Sequence, residues 1–298
     1  MGGLTKVIGV QPVAQESPFP RVAIIGFGLI GGSIALAIKR RWPSSLVIAV
    51  DEKPVIEAAM RAHAADVGGD GLVMAGDANL VILAAPVLQN IKIIEQLPEF
   101  IPSDAVVTDV GSTKGRMVAA AARVPSLQFV GGHPMAGAAR GGLSAARADL
   151  FDGHPWILTP DASHAALLTR LDAFVKGLGG VPHIMAADLH DRLVGAVSHL
   201  PQLTATVLMH VVGRLAGDAG FELAGQGLAD TTRLADSPPA IWRDITATNE
   251  ETLRQALDTL IHSLTDLRDS LGDGDKVEAI FTSAVHWRHA LLRARGDA

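Results

Sequence analysis

The sequence predicts an α/β chain: a doubly wound parallel sheet followed by an all-helical C-terminal domain. Three observations carry this reading. Up to about residue 184, short apolar β-branched runs alternate with amphipathic stretches of roughly 10 to 15 residues, the pattern of successive βα units. The first run ends in Gly-x-Gly-x-x-Gly and leads straight into a helical stretch. Beyond residue 185 no strand pattern remains, and long segments repeat at helical spacing. The 298 residues suffice for two cores, and 48% hydrophobic with 19% charged residues is a globular balance. The expected organisation is a loose leader over 1–19, a dinucleotide-binding domain over 20–184 and a helical domain over 185–298.

RVAIIGFG (21–28) reads as a buried strand ending in glycines, and LIGGSIALAIKRR as a helix stopped near Pro43. LVIAVD (46–51) is the second strand. Pro54 opens a helix along which Ile56, Ala59, Met60 and His63 recur at helical spacing. NLVILAAP (79–86) and AVVTDVGS (105–112) are strands with the helix IKIIEQL between them. GRMVAAAARV is a helix before the strand QFVGGHP, and WILTP (156–160) is a further strand. SHAALLTRLDAFVKGLGG reads as a helix closed by glycine. In the second half, DLHDRLVGAVSHLPQLTATVLMHVVGRLA reads as one long helix bent at Pro201. Leu253, Leu257, Leu260, Leu264, Leu267 and Leu271 follow a heptad seam, either an ordinary core face or an intersubunit seam. A helical second domain often supplies a dimer interface, so a homodimer is expected.

Several function classes are excluded. A net charge of −6 gives no basic face for nucleic acid. Without cysteine there are no disulfides, thiolate nucleophiles or cysteine metal sites, which fits a reducing, cytoplasmic setting. Without tyrosine, the Tyr/Lys acid of short-chain dehydrogenases is closed. The longest apolar run, LVILAAPVL (80–88), is about half of the ~20 residues that span a bilayer, and the leader has no signal-peptide pattern. No metal is expected: His286 and His289 lack a carboxylate partner pattern, and GDGDK (272–276) is too short for a calcium loop. His154, His164 and His262 are read as bland.

Gly26-Phe27-Gly28-Leu29-Ile30-Gly31 is the dinucleotide fingerprint of a Rossmann-like domain. Gly26 permits the tight turn, Gly28 lets a pyrophosphate approach the backbone, and Gly31 lets the helix pack on the strand. The helix N-terminus offers free N–H groups and a positive dipole end. Asp51 ends the second strand, where a carboxylate accepts the ribose hydroxyls and repels a 2′-phosphate. The expected cofactor is therefore NAD. In open α/β sheets the ligand lies beyond the carboxyl ends of the strands. Three such ends should converge on the nicotinamide: Ala84-Ala85-Pro86, Gly111-Ser112-Thr113 and His133-Pro134. Ser112 can hold one imidazole nitrogen of His133, leaving the other to take a substrate hydroxyl proton. The glycines of GGHPMAG (131–137) are expected to let cofactor and substrate come close.

At this point the residues resemble a known family. GFGLIGGS, LAAPV, TDVGSTKG, GGHPMAG, HDRLVGAVSHLPQ, DTTRLA and IWRDI, in order from about residue 21 to 250, are similar to the prephenate/arogenate dehydrogenases of tyrosine biosynthesis. The resemblance implies NAD-dependent oxidative decarboxylation of a cyclohexadienol. Hydride leaves C4, the ring carboxylate departs as CO2, and the ring becomes aromatic. It implies that His133 deprotonates the C4 hydroxyl and that Ser112 orients it beside the nicotinamide. It also implies that Arg233 grips a substrate carboxylate and that His199 lines the cavity. Read without it, His199 is equally a packing histidine, and Arg233 a partner for Asp230 three residues away. Many relatives carry an acidic residue where this chain has Ala139, next to Arg140. Its loss favours prephenate over arogenate, which bears an ammonium. No regulatory or mutase domain is expected, so any inhibition by tyrosine is expected at the active site itself.

Two other readings stay open. A reductase of the β-hydroxyacid type would need a lysine from the second domain, but Lys176 and Lys276, the two lysines in the second half of the chain, sit in no suitable motif. A catalytically silent NAD-binding sensor would have no use for Ser112, His133 and Arg233 together.

Overall fold

The computed structural model describes residues 16–138, 140–161 and 165–296. Ala139 and His164 lie outside them. Contacts divide the chain into two compact units. One runs to Leu193 and takes in Ser237–Asn249; the other comprises Val194–Asp236 and the chain from Glu250 onward.

The first unit is built on β1 (Arg21–Ile25), α1 (Leu29–Arg41), β2 (Leu46–Val50), α2 (Lys53–Arg61), β3 (Val67–Gly69), β4 (Leu80–Leu83), α3 (Val87–Gln96), β5 (Val106–Asp109), α4 (Gly115–Ala122), β6 (Gln128–Pro134), β7 (Pro155–Thr159), α5 (Ala165–Gly177), β8 (Val181–Ile184) and α6 (Ala187–Val194). The sheet order is β3-β2-β1-β4-β5-β6-β7-β8, so the chain reverses direction across the sheet between β1 and β4. That reversal opens the crevice in which such sheets bind ligands.

Alternation along the strands feeds two cores. Val22, Ile24, Leu80 and Ile82 face one way, against Ile34 and Ile38 of α1 and Phe174 of α5. Ala23, Ile25, Val81 and Leu83 face the other, against Ile94 of α3 and Met117 of α4. Burying each large aliphatic side chain contributes about 1.5–3 kcal/mol, so both faces hold the sheet.

Four details differ from the sequence reading. Strands β3 and β8 were not anticipated. β7 runs antiparallel to β6, with His133 opposite Ile157. Among its described residues the connection between them contains no α-helix and a single 3-10 turn at Leu143–Ala145, so no parallel crossover forms. Helix α2 stops at Arg61, and His63 follows with φ +53°. Phe19, assigned to the leader, is fully buried, edge-on to Phe174, with the Arg170 guanidinium over its ring.

The second unit contains a π-helical turn (Gly195–His199), α7 (Leu200–Phe221) and α8 (Gln226–Thr232). The chain then gives α9 (Pro239–Thr248) to the first unit before α10 (Glu250–Asp269) and α11 (Gly274–Arg295). Instead of the expected bend at Pro201, the helix widens to π just before it. Proline cannot donate to the carbonyl one turn back and its ring crowds that oxygen; the wider turn relieves both. A second break falls at Gly217, φ +55°. Among the described residues no helix is long and apolar enough to cross a membrane.

Candidate active site

The glycine turn is shaped by what surrounds it. Gly26 has φ +96°, and a Cβ there would lie 2.4 Å from the Ala85 nitrogen. A Cβ at Gly31 would meet the Gly26 carbonyl oxygen at 2.0 Å. At Gly28, the residue before α1, a Cβ would meet nothing within 4 Å. Two glycines are thus required by the protein itself, while the middle one faces open space. Beside it, the N–H groups of the first turn of α1, from Leu29 and Ile30 on, lack partners within the helix. This cradle fits a pyrophosphate, whose charge the helix terminus favours.

Phe27 is buried, and its backbone N–H donates to Asp51 Oδ2 at 2.6 Å; the Glu52 N–H donates to Asp51 Oδ1 at 2.7 Å. Asp51 is therefore fixed in orientation yet only half-buried, with lone pairs left for ribose hydroxyls. Ala84-Ala85-Pro86 closes the other wall. The Ala84 N–H bonds the Ile25 carbonyl at 2.7 Å, and Asn90 donates to the Ala85 carbonyl at 2.8 Å. Pro86 caps α3, whose Leu88 N–H donates to Asp244 of α9 at 3.1 Å.

His133 lies near the carboxyl end of β6 and is 8% exposed. The glycines before it serve packing, which corrects the expectation that they admit ligand. A Cβ on Gly131 would strike Thr159 Oγ1 at 2.4 Å, and one on Gly132 the Asp109 carbonyl at 2.5 Å. Beneath them lies a fully buried ion pair, Lys114 with Asp109. Asp109 also accepts the Gly111 N–H at 2.9 Å and the Gly132 N–H at 3.1 Å. Burial pushes the Lys114 ammonium below its ordinary pKa, and Asp109 works against that shift. This clamp fixes the 110–114 loop, which carries half-buried Ser112, against the strand that carries His133.

His133 Nδ1 lies 2.8 Å from His190 Nε2, the kind of partner the sequence reading sought in Ser112. His190 Nδ1 lies 2.8 Å from Asp191 Oδ1. Asp191 accepts the Lys114 N–H at Oδ1 and the Gly115 N–H at Oδ2, both at 2.8 Å, at the head of α4. Burial works to raise the Asp191 pKa, but the His190 bond and the two backbone donors outweigh it and hold the carboxyl below its usual range. Asn249 donates to the Asp191 carbonyl at 3.0 Å, and Thr113 and Thr248 share a 2.7 Å bond. These bonds from α6 and α9 into the 113–115 segment explain why the first unit extends beyond residue 184. Neither His190 nor Asp191 was singled out from the sequence.

In the second unit, His199 sits buried on the π-turn and Arg233 is exposed at the start of a 3-10 turn, Arg233–Asp236. Asp230 bonds Gln226 at 2.8 Å, and Arg233 forms no ion pair among the described residues. The Gln202 amide of SHLPQ donates to the Leu234 carbonyl at 2.6 Å, tethering the turn that bears Arg233 to α7.

Two family models match: the nucleotide-binding domain of prephenate dehydrogenase over residues 34–183 and its dimerization domain over 186–282. The chain is 35% identical to the prephenate dehydrogenase of Bacillus subtilis (strain 168), covering 92% of this chain and 77% of that protein. It is 32% identical to the cyclohexadienyl dehydrogenase of Zymomonas mobilis, covering 92% and 96%. Its fold superimposes on prephenate dehydrogenase from A. aeolicus, in a complex with hydroxyphenyl propionate and NAD+, with TM-score 0.83 and 28% identity over 94% of this chain and all of that one. The chain belongs to the prephenate dehydrogenase family.

Proposed function

We propose that this chain is an NAD-dependent prephenate dehydrogenase, converting prephenate to 4-hydroxyphenylpyruvate in tyrosine biosynthesis, with His133 as general base. The observation that carries the reading is His133 itself: a histidine tied through Nδ1 to a buried chain of polar groups, near a strand end of a sheet built for a dinucleotide. Gly26, Gly28, Gly31 and Asp51, with Phe27, Leu29 and Ile30 of the same turn and Ala84-Ala85-Pro86 as wall, would hold NAD. Bound there, NAD supplies the hydride acceptor.

His133 takes the C4 hydroxyl proton as the C4–H bond breaks. The ring carboxylate leaves as CO2, its bonding pair completes the aromatic ring, and the phenolate oxygen so formed regains a proton from the His133 imidazolium to give 4-hydroxyphenylpyruvate. Aromatisation favours the products, so the protein's work is positioning and the movement of one proton. Ser112 orients the hydroxyl-binding end of the site. Arg233 binds a substrate carboxylate, for which an exposed guanidinium fork is suited. His199 takes part in substrate binding. Prephenate is favoured over arogenate because the chain has Ala139 and Arg140 in place of an acidic residue that would attract the arogenate ammonium.

The relatives' dimerization domain and the exposed apolar side chains Val211, Leu215, Leu264, Phe281 and Trp287 support a homodimer formed through the helical unit. The test of the chemistry is His133→Ala. Expected is a fall in kcat of about 10²–10⁴-fold with NAD affinity retained. An unchanged kcat would remove His133 from the chemistry and favour the silent-sensor reading.

A further inference from the structure

A general base must present a lone pair to its substrate, and a neutral imidazole carries one proton on either nitrogen. From the sequence, Ser112 is expected to control which. The structure places that control in the residues packed behind His133.

Asp191 accepts backbone N–H groups from Lys114 and Gly115, so its carboxylate is ionised and has only acceptors to offer. His190 Nδ1, 2.8 Å from Asp191 Oδ1, must then carry the hydrogen. In a neutral ring that makes His190 Nε2 an acceptor, and it faces His133 Nδ1 at 2.8 Å. His133 must therefore carry its own hydrogen on Nδ1, which leaves Nε2 as the acceptor nitrogen. Each assignment forces the next, and the chain ends at the atom that has to receive a proton. His190 is fully buried and Asp191 is 7% exposed, so water does not compete for these bonds. Ionisable groups packed around the pair include His133 on β6, Asp109 on β5 and Lys114 at the head of α4. Lys114 is paired with Asp109, and its charge supports the Asp191 anion.

We infer that His190 and Asp191 are positioning residues that hold His133 as the Nδ1–H tautomer and stabilise the imidazolium formed when Nε2 takes the substrate proton. The inference rests on the reading of His133 as the base. It assigns the HD pair of HDRLVGAVSHLPQ a part in the chemistry without contact with substrate. The proton moves from the substrate hydroxyl to His133 Nε2, and no proton need leave Asp191 or His190.

The experiment compares His190→Leu, His190→Gln and Asp191→Asn with the wild-type enzyme by kcat, KM, NAD affinity and the pH profile of kcat. Leucine removes the acceptor for His133 Nδ1–H, so kcat should fall about 10²-fold with KM for NAD little changed. A glutamine amide oxygen can accept the same hydrogen, so His190→Gln should recover about a tenth or more of the lost rate. Asp191→Asn removes the anion behind the imidazolium and should move the acidic limb of kcat to lower pH by about half a unit to one unit. A merely structural role would lower stability without moving that limb.

Folded variants with kcat within about threefold of wild type and an unmoved limb would overturn the inference while leaving His133 as base. Should a variant fail to fold, 15N NMR of histidine-labelled wild-type protein reads the tautomers directly. Nδ1–H on both His133 and His190 supports the inference, and Nε2–H on His133 overturns it. That measurement needs no turnover. Wild-type protein inactive on prephenate and arogenate alike would fail the functional reading separately.

Discussion

Gly28 and Gly31 belong to one motif, yet the structure separates their roles, and alanine at each should fail differently. At Gly31 an added Cβ would sit 2.0 Å from the Gly26 carbonyl oxygen, so α1 must move away from the turn by more than an ångström to restore ordinary contact. Overpacking against a backbone oxygen, which cannot swing aside, lies in the upper part of the usual range, about 2–3 kcal/mol, and the better helix propensity of alanine returns about 1. A net loss of about 1–2 kcal/mol should lower Tm by roughly 2–8 °C for a domain of this size. At Gly28 the Cβ meets no protein atom within 4 Å, and the residue precedes the helix with φ −75°. Its alanine variant should lose only about 0.5 kcal/mol of stability. The new methyl would instead occupy the space assigned to the pyrophosphate, and NAD affinity should fall at least about tenfold, some 1.4 kcal/mol. Thermal melts without ligand and NAD titrations by calorimetry read the two quantities independently. Wild-type NAD affinity in Gly28→Ala, or an unchanged melt in Gly31→Ala, would refute the assignment of these roles.

Other outcomes follow from the same geometry. Lys114→Met leaves Asp109 buried without its cation and should cost about 3–5 kcal/mol by urea unfolding; adding Asp109→Asn should restore part of it. Asp191 is held below its unfolded pKa, so its stabilisation is present above about pH 4 and is lost as pH falls through the lower folded value. Asp191→Asn should therefore be less stable near neutrality and show a shallower acid unfolding slope. Arg233→Ala should raise the KM for substrate about 10- to 100-fold with NAD affinity unchanged, as expected for one lost charge-assisted carboxylate contact. Phe281→Asp should shift the protein toward monomer in light scattering, since a charge would sit on the exposed apolar face of α11.

What was legible in the sequence was local. β1, the glycine turn and α1 were readable because apolar run, glycines and helical period follow one another within about twenty residues. Asp51 was readable from its spacing, although the N–H groups that orient it were not. β3 and β8 escaped because they are three and four residues long, and β8, VPHI, is a largely exposed edge strand containing proline. The antiparallel β7 escaped because strand direction depends on the connection after Pro134, which has no periodic pattern. The largest omission was His190–Asp191. One signal did exist: along α6 the leucines at 189 and 193 are 38% and 47% exposed, whereas His190 and Asp191 face inward. A helix that turns its polar pair to the core marks a polar site, but the inward face can be known only once the neighbouring elements are in place. Gln202 was quoted within SHLPQ, yet its bond to the Leu234 carbonyl spans 32 residues, and no local pattern encodes it.

The central claim is that this chain oxidises a cyclohexadienol with NAD and prefers prephenate. The most direct test is NADH formation by the purified protein given NAD with prephenate, run beside NAD with arogenate. Turnover of prephenate at ordinary enzymatic rates, clearly ahead of arogenate and yielding 4-hydroxyphenylpyruvate, is the predicted result. Turnover of arogenate alone would contradict the substrate assignment and keep the mechanism, and no NADH from either substrate would contradict the account itself.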